Sequence, residues 1–332
     1  VTSRTSTIRS LALAGALAVA LQLAAPIAAR AATGSTLTLD ATPATATVGD
    51  QIGLSGQLTF ADASSSEGQT ITLTREDAAG STPLPDAVTD VNGNYSATDT
   101  VDVGGTVTYQ ASFTGTTDYD PANASDTVSV TKLASKVSLA VSAKAVTYGT
   151  SVHLTAHLGA GTESLVVAIS AKPDGGSETL IRKAAVGGHR DLHATFRPSK
   201  DTTFIARYDG DLSHRASHDQ GVTRVRVIVR ERLSNFVAKS GRYHIYKRGA
   251  RAPCLARVIP NHKGFAIRAT LQMFVNGRWR KSAARSFRLN GSSVAGFAIR
   301  GTPNVNFRVR ASLPTHSDHL GDRSPWQYLR FR

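Results

Sequence analysis

Apolar residues recur at every second position along most of this chain. In TVGDQIGLSGQL (47–58) Ile52, Leu54 and Leu58 alternate with polar residues, and TYGTSVHLTAHL (147–158) repeats the arrangement 100 positions later with Val152, Leu154 and Leu158. Period two marks a strand with one buried face, because successive side chains leave a pleated backbone on opposite sides. A third copy, YKRGARAPCLARV (246–258), places Ala252, Cys254, Ala256 and Val258 in the same register, so that Cys254 points inward where Leu54 and Leu154 do. Between these runs QTITLTREDAAGSTP, LVVAISAKPDGGSETLI and LQMFVNGRWRKSA each put a turn-rich centre between alternating flanks. Asn276-Gly277 is a two-residue hairpin signal, since both positions tolerate positive φ, and DVNGNYSAT (90–98) carries similar turn chemistry.

A second phrase confirms the repeat. YQASFTGTTDYDPANAS (109–125) and FIARYDGDLSHRAS (204–217) align at an offset of 95, Tyr109, Phe113, Gly115 and Tyr119 falling over Phe204, Tyr208, Gly210 and His214. The aromatic residues read as core plates, the glycine as the turn after the strand, and the Tyr or His beyond it as a cover for the sandwich end. FRVRASLPTHSDHLGDRSPWQYLRFR (307–332) follows the same order more loosely, with Ala311 and Leu313 in place of the aromatic and the glycine. Short strands with turn signals every 8 to 12 positions, and almost no helical periodicity, predict an all-β fold of tandem immunoglobulin-like β-sandwiches. The expected units are 32–132, 133–233 and 234–332. They are joined by the short stretches KLASK and ERLSNF, which lack Gly/Ser or Pro-rich spacers and predict a semi-rigid row.

The G-D/T-x-V/I-x-L opening strand and the Y-x-A-x-F/Y-x-G-x-x-x-Y/H-x-x-x-S closing segment resemble those of bacterial Ig-like repeat proteins, which are secreted or surface-displayed. That resemblance implies modular adhesion, spacing or ligand display, and it implies neither a particular ligand nor catalysis.

Residues 1–31 predict a cleaved signal peptide: Arg4 and Arg9, the apolar run LALAGALAVALQLAA (11–25), and a small-x-small site at Ala29-Arg30-Ala31. Pro26 interrupts the run, which is shorter than the roughly 20 residues a membrane span needs, and no later stretch approaches that length. The expected location is therefore extracellular, with cell-wall association as an extension. The single cysteine, Cys254, excludes an intrachain disulfide framework.

Charge divides the chain sharply. The first unit carries 2 basic against 13 acidic residues (net −11), the second 14 against 9 (+5) and the third 19 against 2 (+17). In the third, Arg268, Arg278, Arg280, Lys281, Arg285 and Arg288 interleave with Phe274, Trp279 and Phe287, and Arg300, Arg308 and Arg310 follow on later strands. Arg308 and Arg310 share one face of their strand. Such a density of cations repels itself, and a polyanion relieves the repulsion. The expected contacts are Arg278, Arg280, Lys281, Arg285, Arg288, Arg308 and Arg310, with Trp279 as a stacking platform for a sugar or base. An anionic wall polymer or acidic glycan is the expected partner and extracellular nucleic acid the alternative. The opposed charges of the first and third units also suggest head-to-tail self-association. A plain spacer with no ligand, or a carbohydrate- or nucleic-acid-binding module, are the rival functions.

Other constellations are weaker. His153 and His157 in HLTAH lack the Glu of a zincin helix and sit about 13 Å apart on a strand. The pairs His214/His218 and His316/His319 lack a third ligand specified by spacing, so no metal is expected. Asp90, Asn92 and Asn94 resemble the start of a calcium loop without its distal Glu, and read as a turn. No nucleophile elbow, H-E-x-x-H or phosphate loop is present, so neither an enzyme nor a cofactor is expected.

Overall fold

In the computed structural model, which describes residues 32–159, 165–187 and 191–332, the alternating runs are strands. The expected leader, 1–31, lies outside the described residues. Gln51–Phe60 buries Ile52, Leu54, Leu58 and Phe60, and Val152–Gly159 buries Val152, Leu154, Ala156 and Leu158. Ala252–Ile259 buries Ala252, Cys254, Ala256 and Val258, so the cysteine does face the core.

Each run is the centre of a small sheet: Ser35–Leu37, Asp40–Thr42 and Asn94–Thr100 around Gln51–Phe60, and three-stranded counterparts in the second and third units. A larger sheet packs against each. Its defining feature is a strand that leaves the first sheet and pairs in parallel with the last long strand of the other. Thr45–Thr47 does so with Ala122–Thr131, Ala145–Thr147 with Ser217–Arg226, and Tyr243–Tyr246 with Gln327–Phe331. All remaining pairings between named strands are antiparallel, and the result is a row of three immunoglobulin-like sandwiches. Ile228–Leu233 pairs with Ala252–Ile259, and Val227 and Val229 lie in the third core, so the chain enters the third sandwich ahead of the ERLSNF stretch.

The recurring closing phrase is one structural corner. Phe113 pairs with Ala122, Tyr208 with Ser217 and Leu313 with Asp322, the same nine-residue reversal in each unit. Gly115 and Gly210 have φ of +81° and +82°. A Cβ on Gly115 would meet the Tyr119 carbonyl at 2.8 Å, and one on Gly210 the Ala216 nitrogen at 2.9 Å. The third unit has Thr315 at that position, and the glycine has moved to the opposite arm: a Cβ on Gly321 would meet the Leu313 carbonyl and, at 2.6 Å, the Thr315 nitrogen. The close approach of two backbone arms survives although the residue permitting it has changed sides. Beyond the turn Tyr119 stacks on Phe60 with ring centroids 3.5 Å apart, and His214 and His319 are buried.

These corners are also the joints between units. Leu212 and Ser213 accept the Gly104 and Leu133 amides (both 2.8 Å), and Lys132 Nζ donates to the Asp211 carbonyl at 2.6 Å. In the third unit the Asp318 carbonyl accepts the Asp201 amide at 2.9 Å, Val227 pairs with Leu320, and Arg226 donates to the Gly321 carbonyl. Short connections and paired backbone thus join successive units at these corners.

The third core hides a polar triad. Glu231 is largely buried beside the core and accepts hydrogen bonds from the Cys254 thiol (2.9 Å), the Ser324 hydroxyl (2.8 Å) and the Ala311 amide (2.9 Å). Burial raises its pKa above the ordinary glutamate value, and the three donors only partly offset this. Burial and the adjacent carboxylate push the Cys254 thiol far up as well, so the thiol is a core donor and not a nucleophile.

Two measurements check this description. Gly210→Ala is expected to cost about 2 kcal/mol, since it forces a Cβ into the left-handed region and against backbone, whereas Gly291→Ala, with open space around it, stays within about 0.5 kcal/mol; urea unfolding reads both. For Glu231 the raised folded pKa means that the folded chain binds a proton the unfolded chain releases, so its contribution is fully present below the unfolded value and is lost as pH rises through the folded one. Urea midpoints recorded from acid to neutral pH are expected to show that downward component in the wild type and not in Glu231→Gln. Parallel profiles would contradict the assignment.

Candidate functional site

The third unit's large sheet places Gln327–Phe331, Asn306–Leu313, Ala266–Val275 and the edge strand Arg278–Arg288 side by side. Ile267, Ala269, Phe307, Val309, Ala311, Leu313, Leu329 and Phe331 are buried between the sheets, so the intervening residues face outward. Register aligns them in rows: Gln272 opposite Arg308, Arg308 opposite Tyr328, Phe274 opposite Trp279.

Cations and rings alternate across this face. The Arg308 guanidinium lies 4.5 Å from the Trp279 ring centroid and 4.3 Å from that of Trp326, and Arg310 lies 4.4 Å from Trp326. Arg242 covers Tyr328 at 4.3 Å, and Arg330 lies 5.1 Å from Tyr243. Arg308 Nε donates to Gln272 Oε1 at 2.7 Å. Each such stack contributes about 0.5–1 kcal/mol at an exposed site. More important for binding, stacking covers the flat faces of the guanidinium and fixes its plane, leaving edge N–H groups as forked donors for a phosphate or carboxylate.

Among the described residues, no carboxylate forms an ion pair with the cations of this face. The third unit's two acidic residues beyond position 233 are Asp318, whose ion pairs go to Lys200, His316 and His319, and Asp322, which accepts the Val229 amide. Burial, and then the like charges of Arg323 and Arg308, lower the pKa of Arg310. The face continues towards the second unit as a cleft of about 770 Å³ lined in part by Arg226, Arg268 and Arg323.

The sequence-predicted contacts divide into two groups. Arg308, Arg310, Trp279 and Lys281 share the outer face, and Arg288 lies on it farther along the edge strand. Arg278, Arg280 and Arg285 fall on the other side, because a bulge skips Ser282: Leu271 pairs with Ala283 but Gln272 with Lys281, which inverts the alternation. Arg285, with Arg300, Phe287 and Phe297, instead lines a side opening of about 440 Å³ between the two sheets. Trp279 is a stacking platform, but Arg308 occupies it, and Tyr328 and Phe274 flank it with ring centroids at 5.8 and 5.1 Å. Trp326, Tyr328, Arg330, Arg242 and Tyr243 were not anticipated. The alternation of Trp326, Tyr328 and Arg330 along the final strand was the available signal.

The remaining candidates resolve locally. His153 and His157 reach across their strand to Thr195 (3.2 Å) and Asp191 (2.7 Å), and His214 folds onto Asp211. Asp90 Oδ1 accepts the Asn92 and Asn94 amides at 2.8 and 2.9 Å, as a turn requires. His316 and His319 do approach one another, and they are joined by Asp318 and by His262 from a distant turn. Burial lowers the pKa of His262. Among the described residues no helix is long and apolar enough to cross a membrane.

No protein-family profile matches this sequence, and no curated protein matches it closely enough to report. Solved structures do match. A tetra-tandem repeat from the extending region of a large adhesion protein aligns with 90% of this chain and 74% of its own at 16% identity, with a TM-score of 0.50. The Escherichia coli adhesin FdeC aligns with 88% of this chain and 96% of its own at 14% identity, with a TM-score of 0.28. The first of these likenesses supports the same conclusion as the strand topology: this chain has a tandem immunoglobulin-like sandwich fold, similar to that of a tetra-tandem repeat from the extending region of a large adhesion protein.

Proposed function

We propose that the chain is a non-enzymatic, adhesion-type repeat protein that works outside the cell, its third unit docking on an anionic wall polymer while the acidic first unit projects away. The observation that carries this reading is Arg308 clamped between Trp279 and Trp326, with Arg310 beside it and, among the described residues, no carboxylate paired with either. Aligning several guanidinium groups on one rigid face raises the local potential, and the free edges fit the oxygens of a phosphate- or carboxylate-bearing polymer at its regular spacing. The row of sandwiches supplies reach, with short paired joints keeping the basic end fixed relative to the rest.

Retention of the purified chain on cell wall before and after removal of its anionic polymers tests the reading. Arg308→Gln/Arg310→Gln is expected to weaken binding and to flatten the dependence of log affinity on log salt by about one unit per guanidinium removed. Equal retention of the double variant would remove the case for this face. Trp279→Ala is expected to cost only about 0.5–1 kcal/mol through looser positioning of Arg308. A large, salt-independent loss would instead identify a sugar stacked on Trp279, and absence of binding by the wild type would leave a plain spacer.

A further inference from the structure

Three histidines and an aspartate from separate segments of the third unit converge at its joint with the second. His262 lies in the turn after Ala252–Ile259, and His316, Asp318 and His319 lie in the closing corner loop. His262 and His319 are buried, and one ligand atom from each of the four residues falls within 4.8 Å of the others.

The hydrogen bonds around the cluster decide what it can hold. A neutral imidazole has one N–H and one lone pair. His262 Nδ1 faces the Pro260 carbonyl at 2.8 Å, and His316 Nδ1 faces the Pro314 carbonyl at 3.2 Å. A carbonyl only accepts, so in the neutral form of each ring the proton sits on Nδ1 and Nε2 is bare. His319 is turned the other way: its Nε2 faces the Ser199 carbonyl at 2.8 Å, so its Nδ1 is bare. The bare atoms point at one another. His262 Nε2 is 2.9 Å from His316 Nε2, His316 Nε2 is 3.2 Å from Asp318 Oδ1, and His319 Nδ1 is 3.0 Å from the same oxygen. Four lone pairs facing inward repel unless something positive lies among them. In a tetrahedral zinc site with bonds of about 2.0–2.1 Å, neighbouring donor atoms stand about 3.3 Å apart; the three contacts above are close to that spacing, and all four donors lie within 4.8 Å of one another.

We propose that His262, His316, His319 and Asp318 bind a divalent transition metal ion of the zinc class at the joint between the second and third units. Three imidazoles and a carboxylate suit zinc and its neighbours, and not magnesium or calcium, which take oxygen. Each imidazole already carries the outer hydrogen bond that orients a ligating histidine. With four protein donors the site is closed, which is the structural and not the catalytic kind. The site also spans the joint: the Ser199 carbonyl holds His319, Lys200 Nζ pairs with Asp318 Oδ2 at 3.2 Å, and the Asp201 amide donates to the Asp318 carbonyl. The ion therefore fixes the corner loop that docks on the second unit. This inference is independent of the anionic face.

The test uses the full chain stripped with a chelator and titrated with Zn²⁺ in a calorimeter, with Co²⁺ as a spectroscopic probe and Mg²⁺ as a control. One Zn²⁺ per chain, a tetrahedral Co²⁺ absorption spectrum, a higher unfolding temperature with Zn²⁺ and no response to Mg²⁺ are expected. His316→Ala is expected to weaken binding by about 100-fold or more, while His153→Gln/His157→Gln, outside the cluster, leaves it unchanged. Should His316→Ala fail to fold, the Co²⁺ spectrum of the wild type decides alone. Absence of Zn²⁺ binding, an octahedral Co²⁺ spectrum, or undiminished affinity in a folded His316→Ala variant would overturn the proposal.

Discussion

Much of this molecule depends on the close approach of two backbone arms where each unit's last two long strands reverse. A glycine on one arm or the other is what lets them touch. Once the arms are that close, the loop between them is short and lies beyond the end of the sandwich, where in the second and third units it pairs with the unit before it. One steric condition thus sets the turn and the spacing of the row. It also determines where the corner-loop side chains are presented: Asp211, Ser213 and His214 in the second unit, and His316, Asp318 and His319 in the third.

The third unit builds on that frame differently from its neighbours. Its large sheet is widened, its core is divided into two clusters, and Glu231 ties the two sheets together by accepting the Ala311 amide from the strand that carries Arg308 and Arg310. A buried carboxylate is costly where apolar packing would do. Here it satisfies a backbone donor, a hydroxyl and a thiol at once, directly behind the outward row of guanidinium groups.

The fold was legible because its signals are local. Alternation in Gln51–Phe60, Val152–Gly159 and Ala252–Ile259 identified the buried faces, including that of Cys254, and the paired phrases around Gly115 and Gly210 identified the corner. The site was only half legible. A strand face can be read by counting twos until a bulge intervenes, and the one at Ser282 put Arg278 and Arg280 on the same side as Arg285 and opposite Arg288. Residues brought together by topology were out of reach altogether. His262 stands 54 positions before His316 and meets it only because the turn after Ala252–Ile259 and the corner loop occupy the same end of the sandwich. Trp326 and Trp279 are likewise joined only through the side chain of Arg308.

The strand Arg278–Arg288 ends the seven-stranded sheet, so one side of its ladder has no neighbour among the described residues. An open edge of eleven residues is a template on which another chain can add a strand and begin a fibril. Arg278, Arg280 and Arg285 on one side, and Lys281 and Arg288 on the other, place positive charge on both flanks of that template. Two identical edges approaching each other would bring these cations together before any amide could pair. Cations on both faces of this edge therefore oppose its pairing with an identical edge.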